Sequence, residues 1–408
     1  MQVKNIIIVS DFGYVNGGNS RVAIQTALAL EYKKFQVYFF CGTTPVDDEL
    51  IRSTVRIDCI QQQDFYEGNG RLKGSVQGIW NFKAAREFYN YYKKLDKNQT
   101  VVHFHSWIRV LSPSVIYMAA RMGFKIYFTV HDYNLFCPNG TLFIFPQNEV
   151  CYYRPLDRRC ILCNCDRRKY VHKLYRLVRF LCLKYALRQV DHHYLVTISN
   201  TNDMICRQYC YTHNRTIKIV KNPTSMMNHI VHGRIEVEYN KSFLFIGRVS
   251  DEKGIRLFCE AITRGGYEGI VLGDGYLLDE LRNKYNNIIF KGWCAKQEIM
   301  TYLKRSRALI FPSLWYEGAP LVIMEVMQHG IPCIVSDVSS ASEIVDDGKN
   351  GFIFKSNDVE SLSDTMGKIA VEQEENMRIL SVNAQNTFAK HEISMEMYAN
   401  ELLKFYMT

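Results

Sequence analysis

The stretch RALIFPSLWYEGAPLVIMEVMQHGIPCIVSD, residues 307–337, decides the fold. Its apolar start at 307–313 predicts a buried β-strand. Pro320 favours the first turn of a helix, Gly330 ends that helix, and Pro332 precedes a second strand. Because strand, helix and strand follow one another directly, the stretch predicts a parallel βαβ unit.

The same alternation of short apolar runs and helical patterns continues along the 408 residues. Strands are predicted in the first half at 4–10, 36–40, 101–106, 125–131, 192–199 and 217–222. They are predicted in the second half at 242–248, 269–274, 288–293, 307–313, 333–337 and 351–354. These runs predict an α/β fold with two Rossmann-like, doubly wound domains.

The predicted domains are residues 1–222 and 242–375, with a polar linker at 223–241. A Cys-rich insert at 136–165 interrupts the first domain, and C-terminal helices at 376–408 are expected to pack back on it.

The composition is that of a soluble globular chain, with 47% hydrophobic and 22% charged residues. No window of about 18 uninterrupted apolar residues occurs, so no membrane span is predicted. The start MQVKNIIIVSDFG predicts a first strand rather than a signal peptide. Thirteen cysteines without such a signal indicate a reducing compartment, so we expect a cytoplasmic location.

Charge is unevenly distributed, with a net +14 in residues 1–220 and −5 in the remainder. Segment 166–190 carries eight Lys or Arg and one acid among apolar residues. It is either a core helix with a solvated basic face or a basic amphipathic helix on the anionic inner face of the plasma membrane. Nucleic acid is not a predicted partner, because no recognised binding module accompanies the charge.

Candidate ligand-binding residues follow the predicted strands, because parallel sheets bind ligands outside the carboxyl ends of their strands. Arg248 and Lys253 are either a diphosphate clamp at a helix start or two solvated charges. Gly273 lies in a turn after the next strand. Gly17 and Gly18 come before a helix and allow close approach of an anion, although an ordinary βα loop explains them equally.

Two glutamates lie eight positions apart in the deciding stretch, Glu317 in its loop and Glu325 in its helix. A carboxylate accepts two hydrogen bonds, which suits the vicinal hydroxyls of sugars. Glu317 could therefore hold one sugar and Glu325 a ribose, with a diphosphate between them. Gly318 and Ala319 leave room for it at the helix start. Both glutamates could otherwise be solvated acids.

The Cys-rich insert offers a possible structural metal site. Cys160 and Cys163 have metal-ligand spacing, and Cys137 and Cys151 could complete a four-thiolate zinc site. The alternative is a set of buried free thiols.

Four motifs resemble the retaining glycosyltransferases of family 4: GRVSDEKG at 247–254, GDGY at 273–276, EGAPLVIMEVMQHGIPCIVSD at 317–337 and EIVDDGKNGFIF at 343–354. That family has the GT-B fold, in which two Rossmann-like domains face a central cleft. The Gly17-Gly18 turn and the His131-Asp132 pair also match, so the resemblance covers nearly the whole chain. Tyr276 departs from it, since the family often has proline there.

The resemblance implies transfer of a sugar, with retention, from a nucleotide-diphosphate sugar to a glycan or a polyprenyl-diphosphate-linked acceptor. A bacterial surface polysaccharide such as lipopolysaccharide or capsule is the expected product. No catalytic metal is expected. The alternatives are a nucleotide-sugar epimerase or hydrolase of the same fold, or a non-catalytic scaffold.

The resemblance also implies roles for individual residues. Arg248 and Lys253 would bind the phosphates, and Glu325 would bind the ribose. Glu317 would position the transferred sugar, together with the backbone of Gly318, Ala319, Pro320 and Leu321. His131 would lie near the sugar and the leaving phosphate. Gly17 and Gly18 would line the cleft. His103 and His105 are weaker acceptor-side candidates, because a strand-end histidine is more often structural.

Overall fold

The computed structural model describes residues 3–64, 71–210, 214–224 and 233–408. The chain forms two compact units. The first comprises Met1–Thr141, Tyr153–Pro223 and Ile393–Thr408, and the second Leu142–Tyr152 and Thr224–Glu392. Among the described helices, none combines the length and the apolar character needed to cross a bilayer.

A seven-stranded parallel sheet forms the centre of the first unit, in the order β3-β2-β1-β4-β5-β6-β7. Its strands are β1 (Asn5–Phe12), β2 (Gln36–Thr43), β3 (Arg56–Cys59), β4 (Thr100–Phe104), β5 (Lys125–Thr129), β6 (His193–Thr197) and β7 (Arg215–Ile219). The central strand β1 pairs in register with β2 and β4, with Ile7 opposite Tyr38 and Val102. Its Ile and Val side chains are fully buried, as expected of a parallel strand covered on both faces.

Several helices along this part of the chain are capped by a side chain at their N-terminus. The helices are α1 (Gly18–Tyr32), α2 (Asp48–Arg52), α3 (Arg71–Ile79), α4 (Phe82–Tyr92), α5 (Pro113–Arg121), α6 (Arg158–Leu162), α7 (Tyr170–Leu187) and α8 (Asn200–Tyr209). Asn81 caps α4 by accepting from the N–H of Ala84 at 3.0 Å, and Ser199 caps α8 by accepting from Asn202 at 3.1 Å. Such caps satisfy N–H groups that the helix itself leaves unpaired.

The second unit contains a six-stranded parallel sheet in the order β10-β9-β8-β11-β12-β13. Its strands are β8 (Ser242–Ile246), β9 (Gly269–Leu272), β10 (Ile288–Gly292), β11 (Ser306–Phe311), β12 (Cys333–Ser336) and β13 (Gly351–Phe354). Leu244 of β8 lies opposite Ile270 of β9 and Leu309 of β11, and all three are fully buried or nearly so. A short antiparallel hairpin, Phe143–Ile144 with Glu149–Val150, also belongs to this unit.

The remaining helices divide between the two units. They are α9 (Ile255–Gly265), α10 (Leu278–Lys284), α11 (Lys296–Leu303), α12 (Leu321–Met327), α13 (Val359–Ala370), α14 (Glu374–His391) and α15 (Met395–Tyr406). The first six belong to the second unit and α15 to the first.

The predicted C-terminal segment 376–408 is therefore split, because its helices pack on different cores. Ala384 of α14 is buried in the second core, and Ser381 donates to the carbonyl of Gly330 at 2.6 Å. Tyr398 of α15 is hydrogen-bonded to Thr26 of α1 at 2.8 Å.

All twelve predicted strands are present, and the α/β class with two parallel sheets is confirmed. Strand β3 was not predicted, because only one of its four side chains is fully buried. Part of the predicted linker at 223–241, residues 225–232, lies outside the described residues. The rest includes a short turn at Val237–Tyr239, where Val237 is buried in the second core.

Candidate functional site

The second sheet places two predicted loops side by side. Strands β8 and β11 are neighbours, but the chain leaves β8 toward β9 on one side and returns to β11 on the other. The loops after these two strands diverge there, which is where open α/β sheets bind ligands. The loop after β8 carries Arg248 and Lys253, and the loop after β11 carries Glu317.

Lys253, Ser313, Trp315 and Glu317 form a compact group, called here the Lys253–Glu317 cluster. The Lys253 ammonium lies 2.6 Å from Oε1 of Glu317. The Ser313 hydroxyl donates to the same oxygen at 2.7 Å, and the Trp315 indole N–H donates to it at 2.6 Å. Three donors therefore fix one carboxylate oxygen. Among the described residues, Oε2 of Glu317 accepts no hydrogen bond and keeps acceptor capacity for another hydroxyl.

Electrostatics keep this carboxylate ionised. Burial acts to raise the pKa of Glu317, but the Lys253 ammonium and the donors of Ser313 and Trp315 outweigh it, so the net pKa lies below its usual value. Lys253 also lies 5.6 Å from the Trp315 ring centroid and 5.7 Å from that of Phe311, within cation–π range. The cluster is thus a charged, oriented pair at a sheet edge.

Arg248 lies on the loop that ends at Lys253 and has a different partner. Its guanidinium is 3.5 Å from the carboxylate of Glu252, and 55% of its side chain is exposed. Glu252 is itself buried and accepts from the Ser250 hydroxyl at 2.8 Å. Each predicted cation therefore has a carboxylate neighbour, and the exposed guanidinium remains accessible to an anion.

Glycines allow the loops of this edge to pack closely. Gly254 has φ 67°, and a Cβ there would lie 1.8 Å from the carbonyl oxygen of Pro312. Gly273 has φ 141°, and a Cβ there would lie 1.9 Å from the carbonyl oxygen of Gly247. Both positions require glycine because of the backbone angle and the contact. Gly273 therefore positions the loop that carries Arg248.

The predicted helix after Glu317 is shorter than expected. Helix α12 has seven residues and begins at Leu321, so Pro320 is the residue before its first turn rather than within it. Gly318, Ala319 and Leu321 are half-buried, as is Glu325 inside the helix. These positions are accessible in part, but their roles remain predictions.

In the first unit, three histidines lie near the ends of neighbouring strands β4 and β5 and are called here the histidine row: His103, His105 and His131. His105 Nδ1 and His131 Nε2 are 2.9 Å apart. His103 contacts the Tyr406 hydroxyl at 2.5 Å and the Thr129 hydroxyl at 2.7 Å. The ring centroids of His103 and His105 lie 4.5 Å apart. His131 therefore does not stand alone, because His105 fixes its orientation.

These histidines are neutral at physiological pH. Burial lowers the pKa of His131 to about 3, and burial together with His131 lowers the pKa of His103 to about 3. Burial and the two neighbouring rings lower the pKa of His105 well below its usual value. Because both rings are neutral, one nitrogen of the His105–His131 contact donates and the other accepts.

Gly17 and Gly18 lie at the start of α1, after β1. Gly17 has φ 104° and precedes the first helical residue, Gly18. The Ser20 hydroxyl donates to the Gly17 carbonyl at 3.1 Å. Among the described residues, a Cβ at either glycine would meet no atom within 4 Å beyond its chain neighbours and the adjoining helix backbone. The space beside this turn is open, as the predicted ligand approach requires.

The predicted zinc site is not supported. Within the described residues, no group of three or more His, Cys, Asp or Glu side chains could hold a metal ion, and the cysteines are free. The cation among the thiols is the buried Lys173, whose ammonium lies 3.0 Å from Cys165 Sγ and 3.8 Å from Cys160 Sγ. Burial acts to lower the pKa of Lys173, but these thiols raise it above its usual value.

Sequence reasoning missed three residues that shape these groups. Ser313 and Trp315 hold Glu317, and a polar residue and an indole just before that glutamate were the available signal. Asp11 is buried near the end of β1 and accepts from the backbone N–H groups of Arg109, Val110 and Leu111 at 2.9–3.0 Å. It fixes the loop after His105, and its place at a strand end was visible in the sequence.

Part of the chain is similar to a known protein family. Residues 234–387 match the family described as "Glycosyl transferases group 1". An Escherichia coli protein, UDP-Gal:alpha-D-GlcNAc-diphosphoundecaprenol alpha-1,3-galactosyltransferase, is 26% identical over 54% of this chain and 60% of its own length. Lipopolysaccharide 1,6-galactosyltransferase of E. coli K12 is 25% identical over 41% of this chain and 49% of its own. The alignments thus span 60% and 49% of the lengths of these two relatives.

A solved structure extends the likeness to the whole chain. Sucrose-phosphate synthase from Thermosynechococcus elongatus matches with a TM-score of 0.71 over 99% of this chain and 98% of its own, at 16% identity. At that identity the match shows the fold alone. Residues 234–387 of this chain are therefore similar to the glycosyl transferases group 1 family, and the whole chain has the GT-B fold.

Proposed function

We propose that this protein is a retaining glycosyltransferase that moves a hexose from a nucleotide-diphosphate sugar to a glycan or a polyprenyl-diphosphate-linked acceptor. The group 1 match at 234–387 supports transfer of a sugar. The name of the E. coli relative, which includes UDP-Gal and diphosphoundecaprenol, supports this kind of donor and acceptor.

The observation that carries the proposal is the Lys253–Glu317 cluster. Three donors immobilise Oε1 of Glu317, and its second oxygen remains available to accept from a hydroxyl of the transferred sugar. An acceptor that is already oriented loses little freedom when substrate binds. In this proposal Glu317 orients the sugar, helped by the backbone between Gly318 and Leu321.

The two cations account for departure of the nucleoside diphosphate. Negative charge grows on the leaving phosphate as the sugar–oxygen bond breaks, and fixed positive groups stabilise it. An ammonium has three N–H donors, and Lys253 uses one on Glu317. Arg248 offers a planar, largely exposed fork suited to phosphate. No metal ion is assigned a step.

The remaining roles are proposed by analogy with retaining glycosyltransferases of family 4. Glu325 would bind the ribose, and Gly273 would hold the loop beside the nucleotide. In the first unit, His131 would contact the sugar and leaving phosphate, and Gly17 and Gly18 would admit the ligand closely. His103 and His105 would act only through the histidine row, because both are fully buried.

The biological setting follows from the relatives. We propose a cytoplasmic enzyme of bacterial surface polysaccharide biosynthesis, either lipopolysaccharide or capsule. A lipid-linked acceptor would bring it to the membrane as a peripheral protein.

The test begins with the donor. Thermal shift with UDP-, GDP- and ADP-sugars identifies the nucleotide, because a ligand that binds only the folded protein raises its melting temperature. Transfer rates are then measured for Glu317→Ala and Lys253→Ala. Each is expected to fall by about 10²-fold or more, the usual loss when a preorganised electrostatic group is removed.

A surface ion pair of the same unit provides the matched control. Arg264 and Glu260 are exposed and form an ion pair on α9. Glu260→Ala and Arg264→Ala should leave transfer within about twofold, since exposed pairs contribute little. Wild-type turnover in both cluster variants would reject the assigned roles. Release of free sugar without transfer would favour a hydrolase, and an inverted anomeric configuration by NMR would reject retention.

A further inference from the structure

Helix α7 in the first unit exposes several of its apolar side chains and turns its basic side chains toward the protein. Five of its side chains are strongly exposed, and all are apolar or aromatic: Val171 (62%), Leu174 (44%), Val178 (48%), Leu181 (54%) and Tyr185 (50%). Its basic side chains are buried or half-buried, including Lys173 at 1% and Arg179 at 4%. A surface helix of a soluble protein normally shows the opposite arrangement. One of the two structures predicted from the sequence, a core helix with a solvated basic face, is therefore wrong for α7.

Contacts on the inner face fix this orientation. Lys173 donates to Cys165 Sγ at 3.0 Å, and the Arg176 guanidinium lies 2.9 Å from the carboxylate of Asp166. Arg176 also donates to the backbone carbonyl of Asn139 at 3.1 Å. Rotating α7 to bury its apolar face would break these interactions and leave buried polar groups unsatisfied.

The five exposed side chains form a continuous stripe, called here the α7 stripe. Their spacing along the chain is three, four, three and four residues, which places them on one face of a helix. At 1.5 Å per residue the α7 stripe is about 21 Å long. Residues Ile161 and Leu162 of α6, 38% and 76% exposed, add apolar surface near its start. The Tyr170 hydroxyl donates to the Ile161 carbonyl at 2.7 Å and ties α6 to α7.

Exposed positive charge borders the start of the α7 stripe. Arg167, Arg168 and Lys169 directly precede α7 and are exposed, as are Arg158 and Arg159 of α6. No Asp or Glu occurs in the sequence from Arg167 to Val190. An apolar helical face beside a basic cluster is the combination that interfacial membrane helices use.

We propose that the α7 stripe and the adjoining basic residues form a docking surface for an anionic lipid bilayer. The helix lies in the plane of the headgroups, its apolar side chains contact the acyl-chain boundary, and the arginines and lysine contact lipid phosphates. This deepens the proposed function, because it brings the enzyme to lipid-linked acceptors. Docking itself requires no catalysis.

Charge complementarity selects this occupant over a second copy of the chain. Pairing two α7 helices would bring two basic segments without acidic residues together, at a cost in repulsion. Anionic lipid supplies the opposite charge over an extended surface and attracts basic residues that lie near the bilayer.

The test is flotation of the full chain with vesicles, either phosphatidylcholine alone or with 30% phosphatidylglycerol. Wild-type protein is expected to partition onto the anionic vesicles about tenfold more strongly than onto the neutral ones. The triple variant Leu174→Gln, Val178→Gln and Leu181→Gln should lose about tenfold or more of that binding. Neutralising Arg167, Arg168 and Lys169 with glutamine should give a loss that added salt reproduces in the wild type.

A matched control replaces three other exposed apolar residues of the first unit, Tyr32, Ile51 and Met204, with glutamine. It should bind vesicles like the wild type. Because the α7 stripe is exposed, the triple variant should keep the wild-type melting temperature. Undiminished binding of the triple variant, or equal binding to neutral vesicles, overturns the proposal. So does a wild-type dimer by light scattering that the triple variant abolishes.

The two proposals fail in distinguishable ways. If the wild type binds anionic vesicles but transfers no sugar from any nucleotide donor, the docking surface stands and the proposed activity fails. If transfer to a water-soluble acceptor occurs but vesicle binding does not, the activity stands and the docking surface fails.

Discussion

The Lys253–Glu317 cluster and the histidine row occupy equivalent places in two sheets of the same kind, yet they solve burial differently. Each lies near the carboxyl ends of neighbouring parallel strands. The cluster keeps a full ion pair, because the ammonium, the hydroxyl and the indole N–H all converge on one carboxylate oxygen. The row instead holds neutral imidazoles, because among the residues that the structure describes no acidic side chain is hydrogen-bonded to its rings. The comparison shows that local hydrogen-bond donors, rather than the fold, decide whether the residues at the carboxyl ends of the strands are charged.

Acidification should separate the two groups most strongly. The histidines have folded pKa values below the unfolded value of about 6.5, so below that pH the unfolded chain binds protons that the folded chain does not. The contribution of these histidines to the unfolding free energy of the first unit is therefore fully present above pH 6.5, and it is lost as the pH drops toward 3. The limiting slope is about 1.4 kcal/mol per pH unit for each histidine, but near pH 6.5 the unfolded histidines are only partly protonated. Each therefore contributes about 1 kcal/mol between pH 6.5 and 5.5, which gives about 3 kcal/mol for the three.

Glu317 should respond at much lower pH. Its folded pKa lies below the usual value, so its contribution is present above about pH 4.5 and is lost only as the pH falls through the lower folded value. Scanning calorimetry at pH 7.5 and 5.5, with limited proteolysis to assign transitions, should show the first unit melting earlier at pH 5.5. Equal displacement of both units would contradict the comparison.

Removing one hydroxyl should expose the dependence of the row on its neighbours. Tyr406→Phe deletes the partner of His103 Nδ1 and leaves a buried ring nitrogen unsatisfied. The expected cost is about 1–2 kcal/mol of unfolding free energy. Chemical denaturation monitors it, with Tyr239→Phe as the control, since Tyr239 is 64% exposed. A loss in the control as large as in the variant would show that the hydroxyl of Tyr406 has no special place.

Trp315→Phe should have the smallest effect and tests the cluster. It keeps an aromatic ring near Lys253 but removes the indole N–H donor to Glu317. We expect a loss of about 1 kcal/mol and a several-fold lower transfer rate, because two of three donors remain. Trp293→Phe, at a side chain that is 77% exposed, is the control. An unchanged transfer rate would show that Lys253 and Ser313 suffice to orient the carboxylate.

The sequence predicted the elements that depend on local pattern. Runs such as NIIIVSDF and RALIF are strands because their branched side chains are buried on both faces. The loops with Arg248, Lys253 and Glu317 lie together because strand order brings β8 and β11 side by side.

Other features depend on contacts between distant parts of the chain and could not be predicted from pattern. The reversed orientation of α7 depends on partners such as Asp166 and Cys165. The separation of α14 from α15 depends on which core each helix meets. The cysteine spacing suggested zinc because sequence does not reveal that Lys173 lies among the thiols.

The return of α15 to the first unit has a consequence for synthesis. A ribosome makes residues 1–223 first and most of the second unit, residues 224–392, next, and only then the helix that supplies Tyr398 and Tyr406. Until then His103 and Thr26 lack the hydroxyls that satisfy them in the finished protein. The N-terminal unit thus matures last, although it is made first.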